Sequence, residues 1–145
     1  MVFARFEYAL KKAGYFVGQG RVRPDWSGFV EKGGRADRFK ERVPKRKLLK
    51  EAVKYFSEHP PKIQRVENGE LDWNERSDDP LGPTSLGRAT QALKDIRNNL
   101  FHGGKDPLFP DPGGRRDREL LRHGLSVLYA LVDLDDKVKQ AFTNG

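Results

Sequence analysis

SLGRATQALKDIRNNLFHGGK, residues 85–105, decides how the chain is read. On a helix each residue advances ~100°. At that step Leu86, Ala89, Leu93, Ile96 and Leu100 share one face. The stripe predicts a core helix running from Thr84 or Ser85 to about Leu100 or Phe101. Gly103-Gly104 ends it, because a glycine pair accepts a left-handed C-terminal turn. One charge interrupts the apolar face: Arg97, four residues after Leu93. His102 comes where the helix stops, so RNNLFH, residues 97–102, sets an arginine and a histidine at one rim.

The same periodicity runs through the rest of the chain. Residues 2–14 read as a first helix with Phe3, Phe6, Leu10 and Gly14 on one face and Glu7 in its middle. A carboxylate there is costly to bury without a partner. Two helices thus carry opposite charges on otherwise apolar faces, and Glu7 and Arg97 are expected to meet or to border one polar pocket. Asp117, on the face of Leu120, Leu121, Gly124 and Leu128, is a second candidate partner for Arg97, or else a first-turn acid at a helix N-terminus.

Asp25 is placed to cap a segment over 25–42 that Gly33-Gly34 breaks or bends. A helix over 45–58 is stopped by Pro60-Pro61. Residues 62–83 read as a long polar connection with a short helical turn around 71–75. A helix over 115–132 and a short one over 134–143 complete the chain. No strand alternation stands out. The expectation is a single all-α domain over 1–145, a four- to five-helix bundle, with residues 102–114 as a loop beside the motif.

Composition narrows the chemistry. With 34% charged residues and a formal charge of +7 in 145 residues, the surface favours an anionic partner. There is no cysteine, so disulfides, thiol nucleophiles and thiolate-bound zinc are excluded. No run of eighteen apolar residues is present to span a membrane. MVFARFEYALKKAGYF does not read as a signal peptide, and a cytoplasmic location is expected. The three histidines lack metal-ligand spacing, no phosphate loop of known type occurs, and no metal or cofactor is expected. His59, before Pro60-Pro61, reads as a helix terminator, and His123 as a solvated surface residue. His102 differs: a helix C-terminus favours the protonated form of a histidine, and histidine is the usual general acid or base, while the alternative for His102 alone is a C-cap residue.

Arg97-Asn98-Asn99-Leu100-Phe101-His102 resembles the R-x4-6-H motif of HEPN domains, in the form where a polar residue, Asn98, follows the arginine. Its place near the end of a long helix in an all-α bundle, the acid Glu7 on the first helix and the RDREL start of the next helix fit that resemblance, which spans about residues 1–143. What the resemblance implies is a metal-independent endoribonuclease acting on RNA as a toxin or anti-phage defence effector. It also implies a homodimer through the motif-bearing face with a composite active site, and an antitoxin or defence-complex partner. The alternative is a non-catalytic RNA- or nucleotide-binding subunit of such a complex. By that resemblance Arg97, His102 and Asn98 are the catalytic residues, with Glu7 and Asp117 supporting them. Gly103-Gly104-Lys105 after the histidine departs from the H-x-Y arrangement of toxins that a partner nucleotidyltransferase modifies.

Further cations are candidates for RNA contact. Lys105 lies three residues past His102, and KERVPKRKLLK, residues 40–50, holds six lysines or arginines, among them Arg46 and Lys47. The alternative for that run is an ordinary solvated helix start. Trp26 is expected in the core beside Phe29, whereas Trp73, in the polar connection, is a candidate for stacking on a base.

Overall fold

The computed structural model describes residues 2–101 and 115–144, the side chains of Glu67, Leu100, Phe101, Arg115, Arg116 and Asp117 excepted. Helix α1 spans Val2–Lys12 and ends as its sequence dictates. Gly14 takes a positive φ of 101°, Gly14 N–H bonds to the Lys11 carbonyl at 3.1 Å and Tyr15 N–H to that of Leu10 at 2.8 Å. This glycine-dependent pair of bonds satisfies the last carbonyls of the helix. A two-residue ribbon follows, β1 (Phe16–Val17) antiparallel to β2 (Arg23–Pro24).

Helix α2 (Trp26–Glu31) starts at Asp25, whose carboxylate accepts from Gly28 N–H at 2.9 Å. Gly34, at φ 75°, separates it from α3 (Arg35–Arg42), so the glycine pair breaks the segment. A short 3-10 turn, Val43–Lys45, leads into α4 (Lys47–Glu58). Then come strands β3 (Lys62–Glu67) and β4 (Glu70–Glu75), and helices α5 (Ser85–Phe101), α6 (Arg115–Val132) and α7 (Asp136–Asn144). Thr84 caps α5 through a 3.0 Å bond from Gly87 N–H. Gly87 itself is required, because a Cβ there would run into the Leu81 and Gly82 carbonyls.

The fold is mostly helical, yet it is not purely all-α. The polar connection expected over 62–83 holds a regular antiparallel hairpin over 62–75, and β4 lies where a helical turn was expected. Asn68 and Gly69 form its turn, with φ of 52° and 79°. Two positive φ values in a two-residue loop match the right-handed twist of the strands, which explains the Asn-Gly pair. The helices pack around one core that includes Phe6, Phe29, Phe39, Leu93, Leu128 and Val138, all fully buried. Helix α6 lies against α4 and α5, and α1 against α7. Arg46, just before α4, meets Asp133 just past α6, while Tyr55 stacks on His123, so α4 and α6 run antiparallel. Among the described residues no helix is long and apolar enough to cross a membrane.

Candidate active site

Helix α5 brings Arg97 against α1. Its Nε–H donates to Glu7 Oε1 at 2.7 Å, the contact that helical phase alone predicts. Both groups are held out of bulk water, with 12% of the Glu7 side chain exposed and 27% of the Arg97 side chain. The guanidinium also donates through NH1 to Asn98 Oδ1 at 3.2 Å. Two acceptors from two helices therefore fix its plane, and it still reaches solvent.

One residue on, Asn99 Nδ2–H donates to the Lys62 carbonyl at 2.9 Å and ties this turn of α5 to the first residue of the hairpin. Strand β3 follows α4 after Pro60-Pro61, so the proline pair both stops α4 and delivers the hairpin to the end of α5. Residues 97–99 are thus braced on one side by α1 and on the other by β3.

His102 and Lys105, the loop over 102–114 and the Asp117 side chain lie outside the described residues. Arg46 and Lys47 are not brought to Arg97. Arg46 pairs with Asp133 at 3.1 Å. Gly124 is where α6 meets Ile96, and Asp133 lies nine residues further on, about 14 Å along the helix axis at ~1.5 Å per residue. Lys47 is exposed at the start of α4, in the same region as Arg46. Trp26 is buried in the core, its ring 5.5 Å from that of Phe6, as expected, whereas Trp73 stands on β4 opposite Gln64.

His123 corrects the sequence reading. It is buried, stacked on Tyr55 with ring centroids 4.4 Å apart and set edge-on to Phe56 at 6.2 Å. His123 lies on a buried face of α6 with Val127, Ala130 and Leu131, four, seven and eight residues further on, and α4 packs against α6 there. Burial first, and then Arg122, push its pKa below the usual imidazole value, against the opposing pull of Glu119 at 3.4 Å. His59, as expected, closes α4: its N–H bonds to the Tyr55 carbonyl at 2.7 Å.

Two charged networks escaped the sequence reading. Arg35, 2% exposed, pairs with Asp135 at 2.7 Å, donates to the Phe29 carbonyl at 2.9 Å and lies 4.3 Å from the centre of the Phe29 ring. Asp135 also accepts from Tyr15 Oη and caps α7 through Val138 N–H. Those donors outweigh its burial and hold its carboxyl at about 2. Arg35 follows a glycine pair rather than an apolar stripe, so phase gave no sign of it.

On the side of α5 away from Arg97, Arg76 forms a two-pronged contact with Asp95, 2.9 Å from Nε and 2.9 Å from NH2, and Gln91 joins it at 2.9 Å. This network lines a cleft of about 310 Å³ between α4, α5 and the segment after β4. The hydrogen bond to Asp95 raises the Arg76 pKa further above its ordinary value.

Among the described residues no three His, Asp or Glu side chains gather as metal ligands would. No family model, curated protein or solved structure matches the chain. Residues 97–99 present an oriented, half-buried guanidinium suited to a phosphate, and carboxamides that donate and accept.

Proposed function

We propose that the chain is a metal-independent endoribonuclease that cleaves RNA through its own 2′-hydroxyl. The observation that carries this reading is the 2.7 Å contact from Arg97 to Glu7 in the last turns of α5, five residues before the histidine of R-x4-H. A guanidinium already fixed in orientation needs no reorganisation to meet the charge that develops on a phosphorane, and such preorganised donors are a large part of electrostatic catalysis.

In the proposed reaction a base removes the 2′-OH proton. The 2′-oxygen then bonds to the adjacent phosphorus, and the 5′-oxygen leaves with a proton from an acid. The products are a 2′,3′-cyclic phosphate and a 5′-OH end. Arg97 holds the non-bridging oxygens. His102 serves as base or acid, a role worth ~10²–10⁴-fold, and a second copy supplies the other half of the proton transfer in a homodimer. Asn98 donates to phosphate and Lys105 holds the next phosphate. Glu7 orients Arg97, as the partner of a functional group commonly does. Toxin or anti-phage activity in the cytoplasm, with an antitoxin or defence-complex partner, is the setting this chemistry suits.

The second reading is a non-catalytic RNA-binding or interaction subunit. It is favoured by the same ion pair, since Glu7 neutralises Arg97 whether or not a phosphate ever arrives. Cleavage of RNA in EDTA by wild type, Arg97→Ala and His102→Ala separates the two. Loss of cleavage in both variants, with RNA retention intact in His102→Ala, is expected of the enzyme. Equal cleavage in all three contradicts it.

A further inference from the structure

The β3–β4 hairpin has two unlike faces. Residues directly opposite in an antiparallel pair share a face. One face therefore carries Lys62 with Glu75, Gln64 with Trp73, and Val66 with Leu71. Val66 and Leu71 are 70% and 69% exposed, Gln64 and Glu75 are exposed, and Trp73 is half-buried. The other face carries Ile63, Arg65, Asp72 and Asn74, all partly covered, with Arg65 paired to Asp78 at 3.4 Å. The first face, half-buried at Lys62 and Trp73, is open at its apolar tip. Its order, from the base of the hairpin to the tip, is a charge pair, an amide beside an indole, and two aliphatic side chains.

A two-stranded hairpin is marginal in water unless its apolar face packs on something. Here Asn99 on the Lys62 carbonyl anchors the base and the other face is partly covered, while Val66 and Leu71 stand exposed. An indole and two aliphatic side chains with charge confined to the base of the face is the make-up of a protein interface rather than of a solvated arm.

We infer that this face is the contact between two copies of the chain, hairpin packed on hairpin about a two-fold axis parallel to the strands. Rotation about such an axis lays β3 of one copy over β4 of the other. Lys62 of each copy then faces Glu75 of the second copy, Gln64 faces Trp73, and Val66 faces Leu71. The face is its own complement in charge as well as in shape class, which a two-fold contact demands. Both hairpins point the same way, so the two Asn99 anchors lie on the same side of the dimer. Six side chains per copy bury less than the ~1,200–2,000 Å² of a standard stable interface, so the contact is of the weak, transient class. Its existence does not depend on whether Arg97 acts on RNA.

Sedimentation equilibrium on the full chain over ~1–500 μM tests it. Wild type is expected to pass from 16.6 kDa to twice that mass. Lys62→Glu alone and Glu75→Lys alone each set like charges against one another across the axis and are expected to stay monomeric. An equal mixture of the two restores unlike pairs across the axis and is expected to dimerise. The cross-strand pair within each hairpin stays like-charged in that mixture, so rescue reports only the contact between copies. Val66→Glu, with an unchanged melting temperature, is expected to abolish dimerisation. Wild type monomeric throughout, or no rescue on mixing, overturns the inference. So does a monomer whose Trp73 fluorescence is quenched by oligouridylate, which assigns the face to RNA; buried Trp26 is the internal control.

Discussion

Asn99 donates to the Lys62 carbonyl at 2.9 Å, two residues after Arg97 donates to Glu7 at 2.7 Å. One turn of α5 is therefore bonded to α1 and to β3, and the hairpin is an extension of the candidate site. Replacing Asn99 by Ala is expected to leave the global melt nearly unchanged, a cost of ~1 kcal/mol. It should raise hydrogen exchange of the 62–75 amides strongly. Uniform protection in wild type and variant would show that the hairpin does not hang on this bond.

Glu7→Gln keeps shape and hydrogen bonding and removes the charge that positions Arg97. For the proposed ribonuclease, kcat is expected to fall by ~10–100-fold, the size common for supporting groups, with KM little changed. A purely structural pair would instead lower the melting temperature and leave kcat of the folded fraction intact.

The Arg35–Asp135 pair is a stability element rather than part of the site. Asp135→Asn leaves Arg35, 2% exposed, with its charge unmatched, and a loss of ~3–5 kcal/mol is expected. Arg35→Met together with Asp135→Leu should cost less than Asp135→Asn alone. Urea melts read both. The Asp135 carboxyl lies at about 2 when folded against 3.8 as a free side chain. Its contribution is therefore complete above pH ~4 and is lost as pH falls towards 2.

His123 gives a second pH dependence, nearer neutrality. Its pKa is lowered on folding, so the unfolded chain binds a proton that the folded chain resists. Stability is complete above the ordinary value of 6.5 and falls as pH drops below it. His123→Phe, which keeps the ring against Tyr55, is expected to flatten the melting temperature between pH ~7 and 5. A slope unchanged by the substitution would place its origin in another group.

The helices were legible wherever an apolar stripe met a clear stop. Gly14, Gly33-Gly34 and Pro60-Pro61 each end or divide an element where the pattern says. The Glu7–Arg97 contact was legible because each residue is the lone charge in its stripe. The hairpin was not, because KIQRVE and ELDWNE are too polar to show alternation. Its signal lay in Asn68-Gly69, which demands two positive φ values in succession and is the strongest short hairpin mark. His123 was misplaced because α6 is covered on two sides: Leu120, Leu121, Gly124 and Leu128 mark one face, while Val127, Ala130 and Leu131, at helical spacing from His123, mark the one it lies on. Arg35–Asp135 joins residues 100 apart, outside the reach of any local pattern.

In the proposed reaction Arg97 and its neighbours act on a phosphodiester through the 2′-hydroxyl beside it. The most direct measurement uses an RNA oligonucleotide that wild type cuts in EDTA, alongside the same strand with a single 2′-deoxy residue 5′ to the cut, with product ends identified by mass. The expected result is a 2′,3′-cyclic phosphate from the first strand and no cut at that position in the second. Cleavage of the deoxy position, or a 3′-OH end, would contradict the claim.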